Sequence, residues 1–525
     1  MKKLSYIFLF LSVFYLLTDC ARQGMPSGGD KDTTPPQVLS AFPPSGTVNF
    51  NRDRIIIKFD EFITLDNPLQ KIVISPPLQK PPEIKPSGYA DKKIQIRFKE
   101  KLRPNTTYTI YFNDAIKDYH EGNILKDYTY VFSTGPHLDS LTLKGTVKPS
   151  YDFDLPEKII AGLYPADSYT DSLLFVAKPY YLARVRKDGS FIFENLAAGD
   201  YILVAFSDEN GSLNYQPGKE QIAFLNEKIK IPRDKEVHLI LFPEKMPLKV
   251  KDLKQKTMHK WALELSRPSR ELDVDVKGKT VKHYTRGTHA DVWIKQTKKG
   301  DTLRFVITEN KDTVYQTLSV VQKEKKDTLL FRFNSPKLYP LDTLFLYPTI
   351  PLVKIDSSRI RITPQTTFNV GLQSNGSVYF VIPYDEEKRT YRILIKPGAL
   401  HDFLGGTHSD TLTHQVEYEM SRKTGNLKLV LDTIPGQSPL IVQLYESTQK
   451  RVVRQIESRA RTYLFRYLPP GRYKIRIIWD LNQNGVWDPG DLKARRQPEP
   501  VFHYPKILEV RPNWDLEEKI NITLD

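Results

Sequence analysis

The sequence predicts an all-β protein of tandem β-sandwich domains placed behind an N-terminal export signal. Three observations carry this. Apolar residues recur in short alternating runs rather than at helical spacing. These runs are bounded by Pro, Gly, Asn and Asp, and the 525 residues include 38 Pro but only 5 Met. Tyr (28) and Phe (26), which suit a pleated, half-buried surface, are abundant. No long helical stripe follows residue 20, and the length exceeds what one core holds at about 100–200 residues per domain.

At the N-terminus, Lys2 and Lys3 precede LSYIFLFLSVFYLL, which runs into Leu17-Thr18-Asp19-Cys20. This apolar run is too short and too close to the terminus for a stable membrane span, so residues 1–19 read as a signal peptide. Cys20 is the only cysteine and cannot form an intrachain disulfide. The spacing resembles a bacterial lipobox, in which the residue at Cys20 is lipidated and begins the mature chain. Leu17 matches that pattern, while Asp19 departs from the small residue usual before the cysteine. The resemblance implies an outer-membrane lipoprotein anchored in the membrane by its N-terminal lipid and facing the periplasm or the cell surface. The competing reading is a secreted protein with an unpaired thiol. Residues 20–34, with Gly24, Pro26, Gly28 and Gly29, read as a flexible tether after the lipidated cysteine.

Strands follow. PPQVLSAFPPSG opens a series, RIIIKFDEFITL, KIVISPP, KKIQIRFKEKL, TTYTIYFNDAI and DYTYVFSTG, spaced as in a sandwich of about 100 residues. The plan then recurs. The stretch around Tyr108 parallels that around Tyr391, keeping Thr-Tyr, an apolar strand, and Ala115-Ile116-x-Asp118 against Ala399-Leu400-x-Asp402. After each comes a second module, GSFIFENLAAGDYILVAFSDENG with Gly199 and Tyr201, and TYLFRYLPPGRYKIRIIWDLNQNG with Gly471 and Tyr473. The offsets, 283 (391 − 108) and 272 (471 − 199) residues, mark a two-domain unit that occurs twice.

At these residues the chain resembles Bacteroidota lipoproteins carrying an SbsA-type Ig-like domain, the likeness resting on CARQGMPSGGDKDTTPPQVLSAFPPSG and IIIKFDEFITL. The segments ending LAAGDY and LPPGRY are similar to the F-x-x-L-x-x-G-x-Y corner of carboxypeptidase-regulatory or Cna-B-type sandwiches. The expected architecture is a row of Ig-like or fibronectin-like sandwiches: an Ig-like domain at 35–136, a carboxypeptidase-regulatory-like domain at 137–245, a basic sandwich at 246–335, a second Ig-like domain at 336–420 and a second regulatory-like domain at 421–525. Such a likeness specifies fold rather than activity.

The net charge is +15, and residues 245–336 hold 21 Lys and Arg against 11 Asp and Glu. A basic face attracts acidic polysaccharide, lipopolysaccharide or nucleic acid. These charges are scattered through strands, however, which favours solvated outward positions of a sandwich, and no nucleic-acid partner is expected.

The sharpest local motif is Asp480-Leu-Asn482-Gln-Asn484-Gly485-Val486-Trp-Asp488-Pro-Gly-Asp491. Side-chain oxygens at positions 1, 3, 5, 9 and 12, with Gly at 6 and the Val486 carbonyl at 7, follow the ligand order of a Ca²⁺ loop. Asp491 stands where a bidentate Glu is usual, and a strand rather than a helix precedes the loop. A polar hairpin turn is the equal alternative. No cofactor is otherwise required. Trp487, inside this loop, is the aromatic best placed to stack on a sugar; Trp479, on an alternating strand, belongs to a core.

Asp-(Ser/Thr) triplets recur, placing a hydroxyl at Thr33, Ser140, Ser172, Thr302, Thr313, Thr328, Thr343, Thr411 and Thr433. The pattern resembles the acceptor motif of general protein O-glycosylation in Bacteroidota; the alternative is a turn followed by the start of a strand. Catalytic signatures are absent: no G-x-S-x-G, H-E-x-x-H or P-loop occurs. Asp60 and Glu61 are neighbours on a strand and point to opposite faces, which suits no paired-carboxylate chemistry. The expectation is a non-catalytic, monomeric envelope lipoprotein, an extended scaffold or adhesion module for an unknown envelope protein or glycan. The alternative is a surface lipoprotein that captures glycan.

Overall fold

The computed structural model describes residues 32–522 apart from 270, 310, 311 and 435. Cys20 and residues 1–19, whose sequence reads as a signal peptide, lie outside them. The described chain is built of strands joined by turns and loops, with helical pieces of only three or four residues, and its buried side chains gather into five successive cores.

The first sandwich packs a sheet built on Arg54–Leu65 against a three-stranded sheet of Val73–Ser75, Thr107–Tyr111 and Thr129–Ser133. Alternation does the sorting: Ile55, Ile57 and Phe59 face inward from every second position and meet Tyr108, Ile110, Tyr130 and Phe132. The second module is a curled sheet in which Leu141–Pro149 runs parallel to Val237–Pro243. The third packs a four-stranded sheet against Asp273–Val276, Thr302–Glu309 and Asp312–Ser319. Basic side chains of this module such as Lys254, Lys277, Lys298, Lys299 and Arg304 are exposed, and in Thr302–Glu309 Arg304 alternates with the buried Leu303 and Phe305.

The duplication is structural. Tyr108 and Tyr391 are both 1% exposed and sit on equivalent strands. Asp118 and Asp402, both buried, cap equivalent turns: Asp118 accepts from the N–H groups of Glu121, Gly122 and Asn123, and Asp402 from that of Gly406. In the second modules the Tyr201 hydroxyl donates to the Ala197 carbonyl and the Tyr473 hydroxyl to the Pro469 carbonyl, the same four-residue reach. Gly425–Leu431 runs parallel to Asp515–Ile520, matching the parallel pair of the second module.

The modules lock together. Asn195 and Leu182 of the second bond Thr109 and Ser75 of the first. Trp293 of the third packs with Ile350 and Phe403 of the fourth. Arg454 of the fifth bridges Asp342 of the fourth at 2.7 Å. The expected linear row is corrected at the C-terminus, where the fifth module turns back and packs on the second.

Candidate functional site

This return is built on two strands whose outward faces are not solvated. Ile159–Pro165 and Gly199–Ser207 carry contiguous buried residues instead of alternating ones. Their inner face feeds the core of the second module. The outer face (Ile160, Tyr164, Val204, Phe206) joins Phe224 and Phe242 in a second apolar cluster that also takes in Val73 of the first module and Leu492 of the fifth.

The fifth module presents the loop Asp480–Glu499 to this face. Trp487 is half-buried and stacks on Tyr151 at 4.8 Å, and its indole N–H donates to the Glu499 carbonyl. Beside it Arg476, 2% exposed, lies 3.4 Å over the Tyr151 ring and donates to Gln443 Oε1 at 2.9 and 2.8 Å and to the Tyr151 carbonyl. A desolvated guanidinium is tolerable there because ring faces and acceptors surround it. Phe153 fills the space between Tyr445 and His503, and burial of the His503 ring lowers its pKa. The backbone N–H of Leu492 donates to Glu244 at 2.9 Å, and the Gln497 amide to the Phe224 carbonyl at 3.0 Å. Gly490 lets the loop approach: a Cβ there would lie 2.4 Å from the Phe242 ring and 2.8 Å from the Arg496 carbonyl.

The structure gathers part of the proposed Ca²⁺ set. Asp488 Oδ2 accepts from the side-chain amides of Asn482 (2.5 Å) and Asn484 (2.7 Å). Asp480 accepts from the N–H groups of Asn484 and Gly485, the latter in the left-handed conformation that glycine adopts without strain. Val486 donates its N–H to Asn484 Oδ1. Asp491 belongs to the following turn and accepts from Ala494 N–H. Glu499, which the sequence reading missed, is buried under the loop and clamps it by accepting from the N–H groups of Leu481 and Asp488. Burial raises its pKa, with Asp488 and Asp480 adding to the effect. Among the described residues no group of three or more His, Cys, Asp or Glu forms a metal-binding cluster, Asp480, Asp488 and Asp491 included.

Two sequence expectations meet different outcomes. Trp487 is not free to stack on a sugar, because Tyr151 covers it; Trp479 is core, at 3% exposure. The candidate O-glycosylation hydroxyls at Thr33, Ser140, Ser172, Thr302, Thr313, Thr328, Thr411 and Thr433 are exposed, whereas Thr343 is half-buried. The preceding aspartates also serve turns, Asp301 accepting from Lys298 N–H and Asp342 from Tyr339 N–H.

Residues 32–134 match the bacterial Ig-like domain family. No curated relative matches the sequence. Solved structures with similarity include the S-layer protein SbsC (11% identity, covering 90% of this chain and 67% of that one, TM-score 0.16). The major pilin subunit of Bacillus cereus is another (9%, 73% and 99%, TM-score 0.14), as are domains from titin (12%, 45% and 93%, TM-score 0.13). Superpositions this poor carry no argument about function. The first module is an Ig-like domain and the chain a tandem of β-sandwiches.

Proposed function

We propose that the chain is a non-catalytic scaffold or adhesion module of the bacterial cell envelope, anchored in the outer membrane by lipid on Cys20. The observation that supports it most is the closure of the fifth module on the second through Trp487, Arg476 and Leu492, which turns a string of sandwiches into a braced body. Such a body holds a fixed spacing between a tether and whatever its surface contacts. The test is metabolic labelling with a palmitate analogue together with protease shaving of intact cells. Label that disappears in Cys20→Ser supports the anchor; an unlabelled native chain overturns it. Shaving assigns the domains to the cell surface or the periplasm.

A second reading, glycan capture, rests on an open polar cleft of about 770 Å³ between the third and fourth modules, lined by Asp273, Asp275, His283, Tyr284 and Asn375. Carboxylates, an amide and a ring edge are the groups that hold sugar hydroxyls. Glycan-array binding weakened by Asp275→Asn supports this reading, and binding that ignores the substitution removes it. In either reading Ca²⁺ would brace the Asp480–Asp488 turn, and exposed Asp-Thr hydroxyls would carry glycans that shield the linkers.

A further inference from the structure

The first and second modules enclose a cavity of about 540 Å³, within the range of roughly 300–1,000 Å³ usual for small-molecule sites, which favour domain interfaces. One wall is the proline-rich segment 68–84 of the first module, and the other comes from the strand Ile159–Pro165 and the loops around it. Its apolar lining includes Ile72, Val73, Ile74 and Leu78 on one side and Ile159 and Ile160 on the other. Leu69, 74% exposed, stands at the mouth.

The charges around this lining are unbalanced. Lys71 is neutralised by Asp66 and Asp114 at 2.9 and 2.6 Å. Three further cations line the cavity: Arg184, bonded to the Gln70 carbonyl, has Asp114 and Asp208 near enough to favour its charge, whereas Lys158 and Lys178 have no ion pair among the described residues, Lys178 reaching the Leu78 carbonyl. Against them stand Glu157, exposed at the rim, and Asp208, buried and engaged with Leu213 N–H. An apolar chamber whose mouth holds surplus cations complements a molecule with an apolar body and an anionic end. Its volume fits one chain, not a folded partner.

We propose that this interdomain cavity binds a single-chain anionic amphiphile, its hydrocarbon against Ile72, Ile74, Leu78 and Ile160 and its carboxylate or phosphate directed to the exposed ammonium groups of Lys158 and Lys178. Burial of the hydrocarbon supplies affinity, and the cations select for charge. The site requires neither the lipid anchor nor the scaffold role, so its failure would leave both untouched.

The test titrates the full chain with oleate, with an oleoyl lysophosphatidate and with neutral monooleoylglycerol, by displacement of a fluorescent fatty acid. Saturable binding of one or both anions, with the neutral lipid at least about tenfold weaker, is expected. The stronger of the two anions identifies the head group. The variant Lys158→Gln/Lys178→Gln, which changes two exposed side chains and leaves the core intact, should lose about tenfold in affinity for the anions and little for the neutral lipid. Leu69→Trp, which narrows the mouth at an exposed position, should weaken binding of all three while the melting temperature stays near that of the parent. Absence of saturable binding, equal affinity for the neutral lipid, or affinities unchanged in both variants would overturn the proposal.

Discussion

Single side chains set the stability of the module junctions, and Glu419 shows how. It lies where the fourth module hands over to the fifth, mostly buried, with Lys337 Nζ at 2.6 Å and Lys423 Nζ at 3.3 Å. The Lys337 ammonium is the main cause that holds its carboxyl at about 2, with the Met420 N–H and Lys423 assisting against burial. A carboxylate whose pKa falls on folding stabilises the fold above its unfolded value, near 4.5, and loses that contribution as pH drops toward 2. Glu419→Gln should therefore lower the melting temperature at pH 7 and flatten its dependence between about pH 4.5 and 2; parallel curves for both proteins would exclude this role. The corner tyrosines act through neutral hydrogen bonds. Burial pushes the Tyr473 hydroxyl up to about 12, so it stays a donor to the Pro469 carbonyl at any physiological pH. Tyr473→Phe should cost about 1 kcal/mol in chemical denaturation, since it removes one net hydrogen bond and leaves the ring.

Strands and loops explain what was legible in the sequence and what was not. Alternation such as that of Arg54–Leu65 reveals a strand with one buried face, and the Tyr108/Tyr391 and Tyr201/Tyr473 pairs reveal the duplication, because both depend on neighbours within a dozen residues. The site depends on residues 336 positions apart (487 − 151), Tyr151 against Trp487, and no local pattern reports such a pairing. A partial signal exists in IIAGLY and ILVAF. These apolar runs do not alternate, which marks strands covered on both faces and hence a partner for the outer one. In the fifth module the equivalent face carries Gln443 and Arg476, whose polarity conceals their burial. The Asp480–Asp488 turn was legible as an oxygen-rich loop, but its second task, carrying Trp487 and Leu492 to the second module, was not. Occupation by Ca²⁺ requires the Asn482 and Asn484 amides, which now donate to Asp488, to present oxygen instead. If the cation binds, Ca²⁺ should raise the melting temperature over EDTA by a few degrees, as one or two kcal/mol does; identical curves would leave the turn to its own hydrogen bonds.

Closure of the chain is a property of the whole molecule and can be lost without unfolding any module. The faces that meet are asymmetric: the second module offers an apolar sheet face with Tyr151 and Phe153 at its edge, and the fifth offers the Asp480–Glu499 loop and a largely polar strand face carrying Tyr445, Lys474, Arg476 and His503. Each of the five cores is complete without this contact. The interface therefore contributes to the relative placement of modules more than to their folding. Two substitutions separate these effects. Trp487→Ala removes a stacked, half-buried ring worth about 2–3 kcal/mol, and Gly490→Ala sets a methyl group against Phe242 without deleting anything. Both should leave the strand content unchanged while raising the radius of gyration measured by small-angle scattering. They should also expose the connection between the fourth and fifth modules to limited proteolysis, because the fifth then hangs from the fourth through that connection and a few polar and ring contacts, among them Arg454–Asp342, Lys423–Glu419 and Tyr384–Tyr467. If the parent chain already scatters as an open row, or if both variants scatter as the parent does, the fold-back does not brace the molecule. The chain would then be a flexible string, in which reach, rather than a fixed shape, is what it provides to the proposed scaffold role.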